Sequence, residues 1–239
     1  RLYFCVTELN VSKTIFPYFP QQTMTMSGSE LEKRLFNLTG ETAQKVPYLA
    51  PVIGIDFKSW NLCWTYESTH STFEFLDDLF GTPGLFVASH KFFQSCVVSL
   101  ASFHSPPSTL IDNPNGPIKE CETLWMDHEG GFEGIRQKCW TLITIGLLLF
   151  VEVETGIKSY IIGQGDNQVV KLILPIPEGI ESPDEYLKQR PDEIKCKIDS
   201  FMTSLASAAK SIGLEVKEDE TWVSLDFVVY GKDMMYKGT

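Results

Sequence analysis

Lys158-Ser159-Tyr160-Ile161-Ile162 and Val169-Val170-Lys171-Leu172-Ile173-Leu174 flank the tetrad Gly165-Asp166-Asn167-Gln168. Two β-rich runs on either side of a Gly-Asp-Asn cluster spell a β-hairpin, because glycine accepts positive φ freely and Asp and Asn tolerate it. That hairpin sets an acidic side chain, Asp166, at the tip of two strands. A third apolar run, Val52–Phe57, opens after Pro51 and reads as a buried strand carrying Asp56 near its end. A carboxylate just past a buried strand is costly unless it is paired or meets a cation. Taken singly, Asp56 reads as a strand-end cap and Gly165-Asp166-Asn167 as an ordinary turn.

Outward from these strands, the pattern alternates between helical and extended segments. Leu2 to Thr7 is rich in strand formers. Ser27 and Glu30 fit a capping box that opens a helix at about 28–38, with Leu31, Leu35 and Leu38 on one face. Ser71-Thr72-Phe73-Glu74 fits a second box, leading a helix that Gly81 stops. Residues 85–103 read as helical, and 104–119 as a proline-rich connection. Gly130-Gly131 opens a long apolar helix whose inward face is Ile135, Cys139, Leu142, Ile143, Gly146, Leu147 and Phe150. A second proline-rich connection, 175–191, leads into a helix from Pro191 to Gly213, with Asp192 and Glu193 in its first turn. Strands near 214–217 and 222–229 close the chain. Helices mixed with hairpin-linked strands point to an α+β fold rather than a doubly wound sheet.

Composition excludes several classes. The 239 residues carry 20 Lys+Arg against 31 Asp+Glu, a net charge of −11, which argues against a basic protein that wraps nucleic acid by itself. The longest apolar run, Leu142 to Val151, falls well short of the roughly 20 residues a membrane helix needs, so no membrane association is expected. The six cysteines are scattered with no CxxC pair, which disfavours both a metal-thiolate site and a disulfide framework. A reduced, intracellular chain is the expectation. With no signal sequence in view, the sequons Asn10-Val11-Ser12 and Asn37-Leu38-Thr39 are taken as chance matches.

In order along the chain, these segments resemble the large (L) polymerase proteins of non-segmented negative-strand RNA viruses, the Mononegavirales, and its rhabdovirus-like members above all. Arg1-Leu2-Tyr3-Phe4-Cys5-Val6-Thr7-Glu8 resembles the end of that family's pre-A region. Asp56-Phe57-Lys58-Ser59-Trp60-Asn61 resembles motif A, and Gly130-Gly131-Phe132-Glu133-Gly134-Ile135-Arg136-Gln137-Lys138-Cys139-Trp140-Thr141 resembles motif B. Gly165-Asp166-Asn167-Gln168 is similar to motif C, with Asn where many other RNA polymerases carry a second Asp. Lys217-Glu218-Asp219-Glu220-Thr221-Trp222 and Tyr230-Gly231-Lys232 resemble the region after it.

The resemblance implies a right-hand polymerase palm, an antiparallel sheet backed by helices, with partial fingers. On that footing residues 1–239 are one fragment of a larger catalytic domain. Asp56 and Asp166 hold Mg²⁺ (or Mn²⁺), and the neutral Asn167 stands beside them as a weaker oxygen ligand. Trp60 and Asn61 face the nucleotide ribose, although Trp60 reads equally well as core. Gly130, Gly131, Glu133, Gln137, Lys138 and Gln168 contact nucleotide or template, and Lys217 or Lys232 reads as a proton donor or, more simply, as a solvated cation. RNA template and nucleoside triphosphates are the implied substrates. A viral phosphoprotein and nucleoprotein–RNA are the implied partners, in the host cytoplasm and virion, with the nucleus as a further site for some relatives. One departure stands out: Thr65 occupies a position where many relatives carry arginine. An alternative reading is a catalytically inactive, endogenised fragment acting as an interaction or interfering protein. An unrelated metal-dependent nuclease needs further acidic ligands around Asp56 that the sequence does not point to.

Overall fold

Val52, Ile53, Gly54 and Ile55 are all buried, and a strand can be buried along its whole length only if both edges are paired and both faces covered. The computed structural model, which describes residues 2–39, 47–99, 124–132, 134–231 and 233–236, shows how this is met. Along the chain run α1 (Leu2–Asn10), α2 (Gly28–Thr39), β1 (Tyr48–Leu49), β2 (Val52–Ile55), α3 (Tyr66–Phe80), α4 (Ala88–Ser95), β3 (Val98–Ser99) and β4 (Leu124–Trp125). There follow α5 (Gln137–Thr155), β5 (Ser159–Gln164), β6 (Asn167–Leu172), β7 (Leu174–Pro175), α6 (Pro183–Gln189), α7 (Pro191–Ser211), β8 (Trp222–Ser224), β9 (Phe227–Tyr230) and β10 (Asp233–Tyr236). The chain divides into two compact units, Arg1–Trp60 with Arg136–Thr239, and Asn61–Ile135. With helices set beside antiparallel sheet, the fold class is α+β.

The larger unit is built on a four-stranded sheet in the order β5-β6-β2-β8, antiparallel throughout. One face carries Val52, Ile162 and Val169, packed with Leu35 and Leu38 of α2 and with Val228 and Tyr230 of β9. The alternate residues Ile53, Ile55, Ile161 and Val170 are buried on the other face, as period-two alternation requires. Helix α5 packs against β5 and α7. Gly54 lies opposite Trp222, and a Cβ there would run into the indole ring, so only glycine allows β8 to close the sheet.

The capping box at Ser27 forms: the Ser27 amide donates to Glu30 Oε2 at 2.8 Å, the Glu30 amide to Ser27 Oγ at 3.4 Å, and Leu35 and Leu38 face inward. The hairpin over Gly165-Asp166 forms as read, with Gly165 at φ 60° between paired Gln164 and Asn167. Leu2 to Thr7, read as extended, is instead the first two turns of α1. Its β-formers are overridden because Phe4, Thr7, Glu8 and Val11 recur at helical spacing and all are buried.

The long apolar helix begins at Gln137, not at Gly130-Gly131, and the face it buries matches the one read only in part. Cys139 and Leu147 face inward as read, joined by Trp140, Thr141, Thr144, Ile145, Leu148 and Val151, whereas Phe150 is 55% exposed. A helix apolar nearly all round has no polar face to set its phase, so the buried threonines had to decide it. In 85–103 the helix is confined to α4, followed by β3 and residues outside those described. The connection at 175–191 contains α6, capped by Ser182, whose hydroxyl accepts from the Glu185 amide. Residues 214–217 contribute only the bridge between Phe57 and Val216. The proline-rich stretch 104–119 lies outside the described residues.

In the smaller unit, α3 starts one and a half turns before the expected Ser71. Ser68 Oγ accepts from the Thr65 amide at 3.0 Å and Thr65 Oγ1 from the Ser68 amide at 3.4 Å, a reciprocal cap that leaves Ser71–Glu74 inside the helix. Gly81, at φ 63°, ends it as expected. Asp77 accepts from the Phe86 and Val87 amides at 2.8 and 3.2 Å, and the buried His90 ring contacts the Trp64 carbonyl at 2.6 Å. Thr65 therefore has a structural task of its own. Thr65→Ala is expected to lower stability by about 1 kcal/mol while Thr65→Ser stays near neutral, measured as the urea unfolding midpoint of this chain.

Candidate functional site

Pairing of Ile55 with Gln168 sets the end of β2 beside the start of β6, so that Asp56 emerges next to the Gly165-Asp166 turn. Backbone contacts hold it there. The Asp56 carbonyl accepts from the Lys217 amide at 2.8 Å, and the Asp56 amide donates to Thr221 Oγ1 at 3.4 Å. The carboxylate is about one-third exposed, with Lys217 Nζ 4.0 Å from Oδ2 and also ion-paired to Glu220.

Burial holds the Asp56 carboxyl above the usual aspartate range; the hydrogen bond and charge of Glu220 and the charge of Asp166 push the same way, and Lys217 pulls against them. Lys217 and the bond to Asp56 hold Glu220 below the usual glutamate range. Asp56 and Glu220 therefore share one ammonium, and with Asp166 near enough for its charge to act on Asp56 the site has a surplus of negative charge.

The turn is fastened to α5. Thr141 Oγ1 accepts from the Gly165 amide at 2.9 Å, and Gln137 sits against Gly165. Gln168 is buried and donates through Nε2 to the Gly165 carbonyl at 2.8 Å. Gly163 opposes it, and a Cβ at that position would occupy the place of the carboxamide. Asn167 is exposed, and its Nδ2 donates to Asp166 Oδ1 at 3.4 Å. A cavity of about 200 Å³ opens here, lined by Gly54, Asp56, Asn167, Glu220, Trp222 and Tyr230. The Tyr230 hydroxyl is bonded to Thr23 at 2.5 Å, and burial pushes its pKa up to about 12.

Of the residues picked out from the sequence, Asp56, Asp166, Asn167, Gln168 and Gln137 converge. Lys138 contributes its backbone amide to a bond with Glu8 at 2.8 Å. Trp60 is 3% exposed, donates from Nε1 to Thr144 at 3.3 Å and meets Trp140 edge to face, so its ring is taken up in the core. Asn61, Gly130 and Gly131 lie in the smaller unit, where Gly131 donates to the Asn61 carbonyl at 3.0 Å and Gly130 abuts the Leu62 backbone. Gly130 is required by this close approach of the chain to itself, and neither glycine starts the helix. Glu133 and Lys232 lie outside the described residues.

Glu220, Thr221 and Thr141 belong to the site and were not picked out. The signal for Glu220 and Thr221 was their position just before β8, since the antiparallel neighbour of β2 must begin where β2 ends. Among the described residues no three His, Cys, Asp or Glu side chains form a ready-made metal cage. The donor set of Asp56 and Asp166, all oxygen and partly exposed, is of the kind a hard cation takes, with waters completing its shell. Also among the described residues, no helix is long and apolar enough to cross a membrane.

A family model described as Mononegavirales RNA dependent RNA polymerase matches residues 1–239. The chain is 32% identical over 244 residues to the RNA-directed RNA polymerase L of lettuce big-vein associated virus, covering 100% of this chain and 11% of that protein. It is 32% identical over 250 residues to the RNA-directed RNA polymerase L of European bat lyssavirus 1, and 32% over 252 residues to the large structural protein of rabies virus strain ERA. Coverage of both is again 100% of this chain and 11% of the relative, so the chain spans about a tenth of their length.

A folded-state pKa raised above the unfolded value means that the associated stability is complete below the ordinary aspartate range and lost as pH rises through the raised value. Asp56→Asn is therefore expected to raise the melting temperature at pH 7, with the gain shrinking as pH approaches 4. Each kcal/mol recovered corresponds to about 2–4 °C. Mg²⁺ or Mn²⁺ should raise the melting temperature of the native chain at pH 7 and leave Asp56→Asn unmoved. Scanning fluorimetry across pH and cation concentration measures both.

Proposed function

Since this chain belongs to the Mononegavirales RNA-dependent RNA polymerase family, we propose that it is the palm of such an enzyme with part of the fingers, carrying the site of nucleotidyl transfer. In this reading a 3′-hydroxyl of the growing RNA attacks the α-phosphorus of a nucleoside triphosphate, the new P–O bond forms, and the bond to pyrophosphate breaks. The observation that carries the reading is the β2–β6 register, which sets Asp56 against the Gly165-Asp166 turn in a pocket with excess negative charge.

Asp56 and Asp166 would hold Mg²⁺ or Mn²⁺. Bound there, two such cations neutralise charge on the attacking and leaving oxygens. The protein's own contribution is positional. Thr141 and Gln168 lock the turn that carries Asp166, and the Lys217 and Thr221 contacts fix the backbone at Asp56. Asn167 offers a neutral carbonyl oxygen where a third aspartate would add to the repulsion. Lys217, already paired with Glu220 and near Asp56, balances the acids while no cation or triphosphate is bound. The substrates in this proposal are an RNA template and nucleoside triphosphates. The setting is the host cytoplasm and virion, with phosphoprotein and nucleoprotein–RNA as partners of the whole polymerase.

The test is to build residues 1–239 into a full-length polymerase of the family and measure RNA synthesis from a minigenome. Synthesis is expected with the native segment and a fall to background with Asp166→Ala or Asp56→Ala. Equal synthesis with Asp166→Ala would overturn the catalytic reading and leave a polymerase-derived interaction protein in its place.

A further inference from the structure

Arg136 is fully buried at the start of α5, where its guanidinium stands over the rings of Tyr3 and Phe4 at 5.8 and 5.3 Å from their centres. Its Nη1 donates to Thr7 Oγ1 at 2.6 Å and to Cys139 Sγ at 3.5 Å, and lies 3.7 Å from Glu8 Oε1. The other Glu8 oxygen, Oε2, accepts from the Lys138 amide at 2.8 Å. An arginine has no acceptor with which to cap a helix, so the N-cap position of α5 cannot do the usual work itself. Glu8, from a helix 130 residues earlier in the sequence, does it instead, and brings a negative charge to the positive end of the helix dipole.

A buried ion pair costs desolvation, and an apolar pair of similar volume would hold α1 against α5 as well or better. What the charges add is register. A helix bound through apolar contacts can rotate or slide with little penalty, whereas one fixed by a bond to a particular amide cannot. Two buried hydroxyls one turn apart on α5 make that register matter. Thr141 accepts from the Gly165 amide at 2.9 Å, beside Asp166, and Thr144 accepts from Trp60 Nε1 at 3.3 Å, four residues beyond Asp56. One residue of slip would turn each hydroxyl by about 100° around the helix axis.

We infer that Glu8 and Arg136 are positioning residues for nucleotidyl transfer: they set the register of α5, and α5 through Thr141 and Thr144 holds the two segments that carry Asp166 and Asp56. This inference rests on the proposed polymerase reading.

The experiment uses the full-length polymerase carrying this segment, purified, with single-nucleotide addition as the readout. Glu8→Met, which removes the acceptor for the Lys138 amide, and Thr141→Val are each expected to lower the maximal rate of addition by about 10–100-fold, the range seen when groups that orient a metal site are removed. The KM for nucleoside triphosphate should stay unchanged, and Thr141→Ser should restore the rate. Because both act through one helix, the double variant should be no slower than the slower single variant. Glu8→Met with Arg136→Met removes both buried charges and guards against simple misfolding: the thermal stability should recover and the rate should not.

Recovery of the rate together with stability would overturn the inference, as would multiplying effects in the double variant or a loss confined to KM. Silent Glu8→Met and Thr141→Val alongside an inactive Asp166→Ala would sink the positioning role alone. An active Asp166→Ala would sink the polymerase reading beneath it.

Discussion

The antiparallel pairing of β2 with β6 is the constraint on which the rest depends. It brings Ile55 opposite Gln168, and with them an aspartate from each of two segments that are distant in sequence. Like charges held together by a ladder of backbone hydrogen bonds cannot relax apart. The surrounding structure therefore has to carry the strain. Some of it is met by Lys217, which faces Asp56 and Glu220, and the rest shows as an Asp56 pKa raised by burial and by the neighbouring Glu220 and Asp166 charges.

The same constraint explains several residue choices that are otherwise odd for a sheet. Glycine in the middle of a buried strand is unfavourable, yet Gly54 and Gly163 both occur there. Gly54 leaves room for the Trp222 indole, and Gly163 for the Gln168 carboxamide, which in turn bonds the Gly165 carbonyl. Each loss of strand propensity permits a close contact beside the acids. Helix α5 shows the complementary choice. Threonine is a mediocre helix former, but Thr141 and Thr144 place hydroxyls where the turn and Trp60 need them.

Legibility followed the range of the interactions involved. The hairpin at Gly165-Asp166 and the cap at Ser27 were legible because their chemistry is completed within a few residues. Helix α1 was misread because aromatic and β-branched residues favour strands locally, while its burial against α5 is a distant matter. The inward face of α5 was legible only at Cys139 and Leu147, because nearly every side of the helix is apolar. The start of α3 was missed because Thr65-x-x-Ser68 uses serine where a capping box usually shows an acid. Glu220 and Thr221 were passed over because nothing local distinguishes them from any polar run before a strand.

By itself, the sequence determined the hairpin with Asp166 at its tip, the buried strand ending at Asp56, the α+β class and membership of the viral polymerase family, since these rest on local turn chemistry, hydrophobic period and ordered motifs. Only the tertiary structure decided that β2 lies between β6 and β8, that Glu220 and Lys217 join the two aspartates, that Trp60 packs inside, and that Glu8 caps α5. Strand register and remote capping depend on which buried surfaces meet across the whole chain, and no window of sequence holds both sides of such a contact.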